Sequence, residues 1–436
     1  MTERSEAKPE SFRYLSPEIS EGALSHRERM IASAHAQIER NLSSLKALER
    51  PKAMSYFDGM ADYFGERADE LKAFNEKGGK VVGTLCYFAP AEVISAFGAL
   101  PVRMCSGFYE TVHPANDLLG DAGLCPLVKS TLGLKMTKAS PLFEACDLLV
   151  VPTPCDAKLK IGEILQDVMD VHMMNVPAIK RGEAARRAWI EEVKNLVRVL
   201  ERKLGKRLRP EGLKRSIQTY QRAQEAWRRF TKARMSGGIW GQDALLVAQV
   251  GFYDDVARWT ENVIMLTDEL EGRKPVSPDA ARIMLAGSPI IWPNWKVPTL
   301  IEESKGLIVS DDLCSSTRTM YDPVVVEEWT MDGMLTAVAE RYMMPCTCPC
   351  FSPNLEREEV MLNRIKESKA EGVIYHVLRG CHLNSLDATK AEMALRKARV
   401  PMIKVESEYD EGDVEQLRIR IEAFIEMINT RREFND

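Results

Sequence analysis

The chain has 436 residues, a formal net charge of −5, and 45% apolar and 28% charged residues. This composition is typical of a soluble globular protein with two or three domains. Because there is no basic surplus and no basic tail, we expect no nucleic-acid partner. Ten cysteines are too few for a disulfide scaffold in a chain of this length. The N-terminus lacks an apolar signal core, so we predict a cytoplasmic protein whose thiols stay reduced.

Residues 1–79 predict an N-terminal extension followed by helices. The first 25 residues are expected to be poorly ordered. Apolar residues recur at helical spacing over about 26–49 and about 59–75, which predicts two amphipathic helices. We interpret them as an ordinary helical extension, with a partner surface as the alternative.

Residues 80–180 predict a first α/β domain. KVVGTLCYF (80–88) is typical of a buried strand, Pro90 opens a helix, and PVRMCS (101–106) is a second strand. The apolar stretch 81–102 is long enough to span a bilayer, but two prolines interrupt it. We therefore predict strand, helix and strand here, and no membrane span.

The cysteines of this domain fall at the ends of predicted elements. Cys86 ends a strand and precedes a helix, a position at which open α/β sheets bind ligands. Cys125 and Cys155 each precede a predicted helix, where free N–H groups and the helix dipole favour a thiolate. Cys105 is expected to serve core packing, and Cys146, at the start of a strand, is expected to be structural.

Residues 181–275 predict a helical connection between two α/β units. Its charges are mixed and periodic, which is typical of solvated helix faces. The GGIWG run (237–241) lacks the preceding strand that a phosphate loop needs, and the sequence contains no Walker or dinucleotide fingerprint. We therefore expect that this chain does not itself bind ATP.

Residues 276–436 predict a second α/β domain with further thiols beyond strand ends. Cys314 follows one strand and Cys381 follows another. Predicted strands cover 281–287, 306–312, 372–378 and 401–406, and an amphipathic helix over 413–428 closes the domain. Thiols at the same end of two α/β units could face one another across a cleft.

The densest group of thiols is the run PCTCPCF (345–351), which holds Cys346, Cys348 and Cys350. Prolines favour an extended loop, in which successive side chains alternate. We expect Cys346 and Cys350 on one side and Cys348 on the other. Such a loop offers soft ligands to a metal or an iron–sulfur cluster, and a redox or disulfide loop is the alternative.

Several motifs taken together resemble one family. GTLCYFAPAEVISAFGALPV, LCPLVKSTLG, VVPTPCDAKLK and GVIYHVLRGCH look like the cluster-binding motifs of the benzoyl-CoA reductase and 2-hydroxyacyl-CoA dehydratase family. The resemblance extends from about residue 80 to the C-terminus. It implies two flavodoxin-like, Rossmann-like domains with a cluster in the cleft between them. It also implies that Cys125, Cys155 and Cys381 hold a 4Fe–4S cluster.

A branch of this family, the double-cubane cluster proteins, is similar at further cysteines. Its CxCxSPN run matches CPCFSPN (348–354). That branch implies an 8Fe–9S cluster on six cysteines, and seven cysteines are available here. They are Cys86, Cys125, Cys155, Cys314, Cys348, Cys350 and Cys381. Which of the seven is surplus stays open.

Chain length, N-terminal helices and the CTCPC loop look most like the larger of the two non-ATPase subunits of class I, ATP-dependent benzoyl-CoA reductases. This likeness implies reduction of benzoyl-CoA to a cyclic dienoyl-CoA in anaerobic aromatic catabolism. It also implies a sister subunit, an ATP-hydrolysing activator with its own 4Fe–4S cluster, and ferredoxin as the indirect electron source. His113 and His382 are considered as proton donors but are not assigned.

Four other functions stay open at this point. The chain could belong to a 2-hydroxyacyl-CoA dehydratase, although the extra cysteines argue against it. It could be a stand-alone double-cubane reductase that works as a homodimer. It could transfer electrons or act as an assembly scaffold without a substrate of its own. A zinc-binding structural protein is the simplest alternative.

Overall fold

The computed structural model of the chain describes Tyr14, Leu15 and residues 17–120 and 123–435. Eight strands lie in this part of the chain: β1 (Val81–Thr84), β2 (Leu100–Arg103), β3 (Leu148–Pro152), β4 (Val171–Met174), β5 (Ala281–Gly287), β6 (Gly306–Asp312), β7 (Gly372–Leu378) and β8 (Met402–Ser407).

Nineteen helices accompany the strands in the same residues. They are α1 (Pro17–Leu24), α2 (Arg27–Lys46), α3 (Met54–Met60), α4 (Glu66–Glu76), α5 (Ala91–Ala96), α6 (Val112–Leu119), α7 (Pro126–Met136), α8 (Pro141–Glu144), α9 (Asp156–Leu165), α10 (Glu183–Leu204), α11 (Pro210–Arg234), α12 (Gly241–Val250), α13 (Val256–Leu270), α14 (Lys296–Glu303), α15 (Thr317–Met320), α16 (Met331–Met343), α17 (Glu356–Ser368), α18 (His382–Lys397) and α19 (Val414–Asn435).

The strands form two separate parallel sheets with the same order. The first sheet has the order β2-β1-β3-β4 and the second β6-β5-β7-β8. Both follow the 2-1-3-4 order of flavodoxin-like sheets. Strands such as β3 and β7 are buried along their whole length, as expected when helices cover both faces of a parallel sheet. The predicted α/β class with two flavodoxin-like units is confirmed.

In each sheet the connections change direction between the first and third strands of the unit. This change creates a switch point between β1 and β3 in the first sheet and between β5 and β7 in the second. The loops leaving the carboxyl ends of such strands diverge and leave a crevice, which is where ligands bind in open α/β sheets. Cys86, Cys155 and Cys381 leave β1, β3 and β7 at these points.

The central helices pack against both units. α11 contacts α5 of the first unit and α15 and α16 of the second, and α10 also packs on α16. α12 differs from the expected solvated helices, since all of its residues are buried. The predicted domain limits at 80–180, 181–275 and 276–436 remain a prediction.

The N-terminal helices also pack onto the central part of the molecule. Arg50, just beyond α2, lies 2.8 Å from Asp58 on α3 and 2.7 Å from the fully buried Asp243 on α12. The two helices expected over 26–49 and 59–75 correspond to α2 and α4. Of the segment expected to be poorly ordered, residues 1–13 and 16 lie outside the described residues, whereas α1 is helical.

The apolar stretch 81–102 forms β1, α5 and β2, as predicted. Among the described helices, none combines the length and the apolar character that crossing a bilayer would require.

Candidate functional site

A cavity of about 130 Å³ lies between the carboxyl ends of the two sheets. Its walls include residues that follow β1 and β3 of the first sheet and β5 and β7 of the second. Both switch points therefore open into one space. This volume is roughly ten times what a single water molecule needs, so the cavity can hold a larger group in contact with both units.

Seven cysteine side chains line this cavity: Cys86, Cys105, Cys125, Cys155, Cys314, Cys348 and Cys381. Six of them are among the seven predicted ligands, whereas Cys350 is not part of the lining. Cys105 was assigned to core packing, and it contacts the core but also faces the cavity. None of the chain's cysteines is in a disulfide.

Three of the lining thiols sit at helix starts and form the first group: Cys125, Cys155 and Cys381. They are the N-cap residues of α7, α9 and α18, which confirms the helix starts predicted at Cys125 and Cys155. Free N–H groups and the helix dipole favour an anionic sulfur there. Burial nevertheless raises the pKa of Cys125 to about 12, so ionisation of this thiol requires a compensating cation.

A glycine brings Cys381 close to Cys125. Gly380 has a φ of +77°, and a Cβ at this position would lie 2.4 Å from the carbonyl oxygen of Gly123. Only a glycine allows the two loops to approach each other so closely. The side chain of Asn384, one turn into α18, donates to the Cys381 sulfur at 3.3 Å.

Cys86, Cys314 and Cys348 form the second group. Burial, followed by the charges of Cys314 and Cys348, raises the pKa of Cys86 to about 12. For Cys125 the thiols that add to burial are instead Cys381 and Cys155. Because charge interactions weaken with distance, the six thiols separate into two groups of three.

The conformation expected for the cysteine-rich loop is wrong. The chain turns instead of extending, with the amide of Phe351 donating to the carbonyl of Cys348 at 3.2 Å. The turn brings the side chains of Cys348 and Cys350 together. A hydrogen bond from the Cys350 thiol lowers the pKa of Cys348 to about 6 and raises that of Cys350. Cys350 thus supports Cys348 rather than opposing it.

Residues outside the loop fix this turn. The side-chain amide of Asn354 donates to the carbonyls of Thr347 at 3.1 Å and Cys348 at 2.9 Å. The buried ammonium of Lys180 donates to the carbonyl of Cys346 at 2.8 Å. Asn354 ends the CPCFSPN run, so the asparagine of that motif holds the loop that carries Cys348.

A buried lysine extends from α9 into the cavity. The side chain of Lys158 lines the cavity, and the residue is 8% exposed. Its Nζ lies 3.8 Å from the sulfur of Cys105. Burial lowers the pKa of Lys158, but the charges of the surrounding cysteines raise it more, and the pKa lies above its usual value.

A buried arginine from the other unit lies near the second group. Arg318 is 6% exposed, and its Nε lies 3.4 Å from a carboxylate oxygen of Asp312. Burial raises the pKa of Cys314, whereas the positive charge of Arg318 opposes this rise. Each side of the cavity therefore holds one buried cation.

The donor set fits a cluster better than a single ion. Among the described residues, no three Cys, His, Asp or Glu side chains converge closely enough to bind one metal ion. Sulfurs around one tetrahedral ion lie about 3.8 Å apart, given a Zn–S bond of about 2.3 Å. In an iron–sulfur cluster each thiolate binds its own iron, so wider spacing of the sulfurs is acceptable. The soft thiol ligands and the two buried cations fit such an anionic group.

Cys86 has an unusual backbone, with a φ of +99°. A residue with a side chain holds such a φ at a cost of about 1–3 kcal/mol. In the iron-free chain we expect Cys86→Gly to be about 1 kcal/mol more stable than Cys86→Ala, because glycine removes the strain. Urea unfolding of the two variants measures this difference.

The matched control is Lys160, an exposed position inside α9. There the usual order applies, and Lys160→Ala is expected to be more stable than Lys160→Gly by about 0.5–1 kcal/mol. If alanine were also the better residue at position 86, the strain would be absent.

The sequence analysis missed Lys158 and Arg103 as cavity residues. Arg103 ends β2, and its guanidinium donates to the Cys314 carbonyl at 3.1 Å. A signal was available for Lys158, since it stands three residues after Cys155 and so shares a helix face with it. His382 lines the cavity, whereas His113 is not part of its lining.

The fold and the cavity define a protein of two flavodoxin-like units with clustered thiols between them. This chain belongs to the family described as 2-hydroxyglutaryl-CoA dehydratase, D-component, which matches residues 86–428. The family predicted from the motifs is thereby confirmed.

Curated relatives match most of the chain. A protein named as a dehydratase subunit, YjiM, of Escherichia coli (strain K12) is 29% identical, over 81% of this chain and 92% of its own length. The (R)-phenyllactyl-CoA dehydratase beta subunit of Clostridium sporogenes is 22% identical, over 82% and 94%. One of the benzoyl-CoA reductase subunits of Thauera aromatica is also 22% identical, over 80% and 91%. The chain is therefore similar to subunits of dehydratases and of a reductase of CoA thioesters.

Proposed function

We propose that this chain is the iron–sulfur subunit of an ATP-dependent benzoyl-CoA reductase and holds an 8Fe–9S double cubane. The observation that carries the proposal is the presence of two groups of three thiols in one buried cavity. The first group, Cys125, Cys155 and Cys381, would hold one cubane, and Cys86, Cys314 and Cys348 the other. Cys350 would be the surplus thiol. A single 4Fe–4S cluster on the first group is the alternative.

The cavity suits a donor of low-potential electrons. Apolar side chains complete its wall between the thiols, among them Leu127, Ile291 and Leu378. They exclude water, and low solvent exposure together with thiolate ligation favours a low reduction potential. Bound there, the cluster would supply the electrons for reduction. Both units contribute ligands, so retention of the cluster requires that the two units stay docked.

The substrate we propose is benzoyl-CoA, and the product a cyclic dienoyl-CoA. Adding an electron to an aromatic ring is unfavourable, and the thioester carbonyl helps because it accepts part of the charge. Partners would be a sister subunit of the same family, an ATP-hydrolysing activator with a 4Fe–4S cluster, and ferredoxin as the indirect source of electrons. The printed names of the relatives, which describe subunits, support a multi-subunit assembly.

A second candidate is a subunit of a 2-hydroxyacyl-CoA dehydratase. The names of two of the relatives favour it. Dehydration is redox-neutral overall and needs no net electron transfer to substrate. The second group of thiols remains without a role in this case, which is why we rank it below the reductase.

The test is anaerobic purification, with iron and acid-labile sulfide measured per chain after co-purifying subunits are separated. We expect about eight irons, together with ATP-dependent reduction of benzoyl-CoA by the reassembled complex. About four irons, with turnover of a 2-hydroxyacyl-CoA and none of benzoyl-CoA, would support the dehydratase instead. A chain that binds zinc and no iron would overturn both.

A further inference from the structure

A buried charge without a carboxylate partner requires explanation. The Lys158 side chain is within the protein, and the groups whose charges act on it are four cysteines, with no carboxylate among them. Among the described residues, its hydrogen-bond contact is the long one to Cys105, at 3.8 Å. Burying an ammonium without an anion is costly, so the chain alone does not account for this lysine.

Lys158 also occupies a special position in the cavity. The cysteines that act on it include Cys86 of the second group and both Cys155 and Cys125 of the first. The lysine therefore faces both groups of thiols, and Cys105 lies beside it. An anionic ligand bound across the two groups would contact the ammonium.

Other cations of the region have their own partners. Arg318, on the opposite side of the cavity, lies close to Asp312. Lys160, two residues further along α9, is exposed and lies 2.8 Å from Glu163. A lysine kept for surface charge or for a protein ion pair would resemble these two, and Lys158 does not.

We propose that Lys158 is the counter-charge of the cavity, donating its N–H groups to an anionic iron–sulfur cluster that spans both groups of thiols. This inference rests on the proposed function and deepens it. A nearby cation stabilises the more negative, reduced state more than the oxidised state. Lys158 thereby raises the reduction potential and helps to retain the cluster. It is a positioning residue, not a proton donor.

The first test is a redox titration of the iron-loaded protein, followed by electron paramagnetic resonance. In Lys158→Met we expect the equilibrium constant for one-electron reduction to fall at least tenfold, a potential about 59 mV more negative. Lys158→Arg keeps the charge and is expected to restore most of the potential. The control Lys160→Met, on the exposed face of the same helix, is expected to leave it unchanged.

The second test uses the full-length chain after iron is removed by chelation. Here Lys158→Met is expected to raise the urea midpoint, since it removes an uncompensated buried charge, while the same variant loses iron faster when loaded. A residue needed only for packing would instead lower the midpoint without iron, which would overturn the inference.

The two tests separate the inference from the proposed function. A wild-type chain that binds iron, with a potential unaffected by Lys158→Met, overturns the role of Lys158 and leaves the cluster in place. A wild-type chain that binds no iron overturns the proposed function, and the inference falls with it.

Discussion

Replacing Asp311 by alanine is expected to lower the free energy of unfolding by about 3–5 kcal/mol, the cost of leaving one partner of a buried ion pair alone. Asp311 is 1% exposed, and its carboxylate lies 2.7 Å from the guanidinium of Arg234 on α11, which is 2% exposed. Without the carboxylate the guanidinium keeps a distant contact, to the Val309 carbonyl at 3.4 Å. Urea unfolding of the iron-free chain measures the change.

The surface pair Arg229 and Asp268 is the matched control, because Arg229 also belongs to α11. The pair has a distance of 2.7 Å, but its side chains are 44% and 57% exposed. Asp268→Ala is therefore expected to cost about 0–1 kcal/mol. A loss below about 1 kcal/mol for Asp311→Ala would mean that water reaches Arg234, and the buried pair would not anchor the helix.

Asp311 also shapes the turn that carries Cys314. Its carboxylate accepts from the backbone amides of Leu313 and Thr317, each at 3.1 Å, and from the hydroxyl of Ser316 at 2.9 Å. These bonds fix the chain between β6 and α15. The same substitution is therefore expected to reduce iron retention, so one residue links the central helices to the second group of thiols.

Sequence patterns were sufficient for the sheets and for most of the cavity. Buried parallel strands such as β3 and β7 read as short apolar runs, and turn residues mark their ends. A cysteine just after such a run lies at the carboxyl edge wherever the helices pack. This is why Cys86, Cys155, Cys314 and Cys381 could be predicted from the sequence.

Other features depend on side-chain direction, which spacing alone does not give. Cys105 also follows a strand, and it faces the cavity only because of how β2 sits beside β1. Cys350 differs from Cys348 because a local turn directs it away from the lining. Cys146 contacts Gly83 of β1, where a Cβ would lie 2.7 Å from its sulfur, as expected of a structural residue.

α12 shows the same limit for a helix. Periodic charges along α10 and α11 correctly indicate helices with a polar face. The charged residue of α12, Asp243, is instead buried against Arg50 from the N-terminal part of the chain. An ion pair that joins residues so distant in sequence leaves no local signal.

The surplus thiol can be identified by comparing Cys348→Ser with Cys350→Ser. Cys348 lines the cavity and Cys350 does not. We expect Cys348→Ser to lower the iron content from about eight to about four per chain or fewer, because the second cubane loses a ligand. Cys350→Ser is expected to keep about eight irons, since a serine hydroxyl can still donate to the Cys348 sulfur.

Two further variants complete the comparison. Cys146→Ser, outside the cavity lining, controls for a general effect of thiol removal and is expected to keep its iron. Cys350→Ala removes the donor altogether, so its cluster is expected to have a more negative potential than that of Cys350→Ser, because hydrogen bonds to ligand sulfurs raise the potential. If Cys350→Ser instead lost as much iron as Cys348→Ser, Cys350 would be a ligand and the turn would rearrange when the cluster binds.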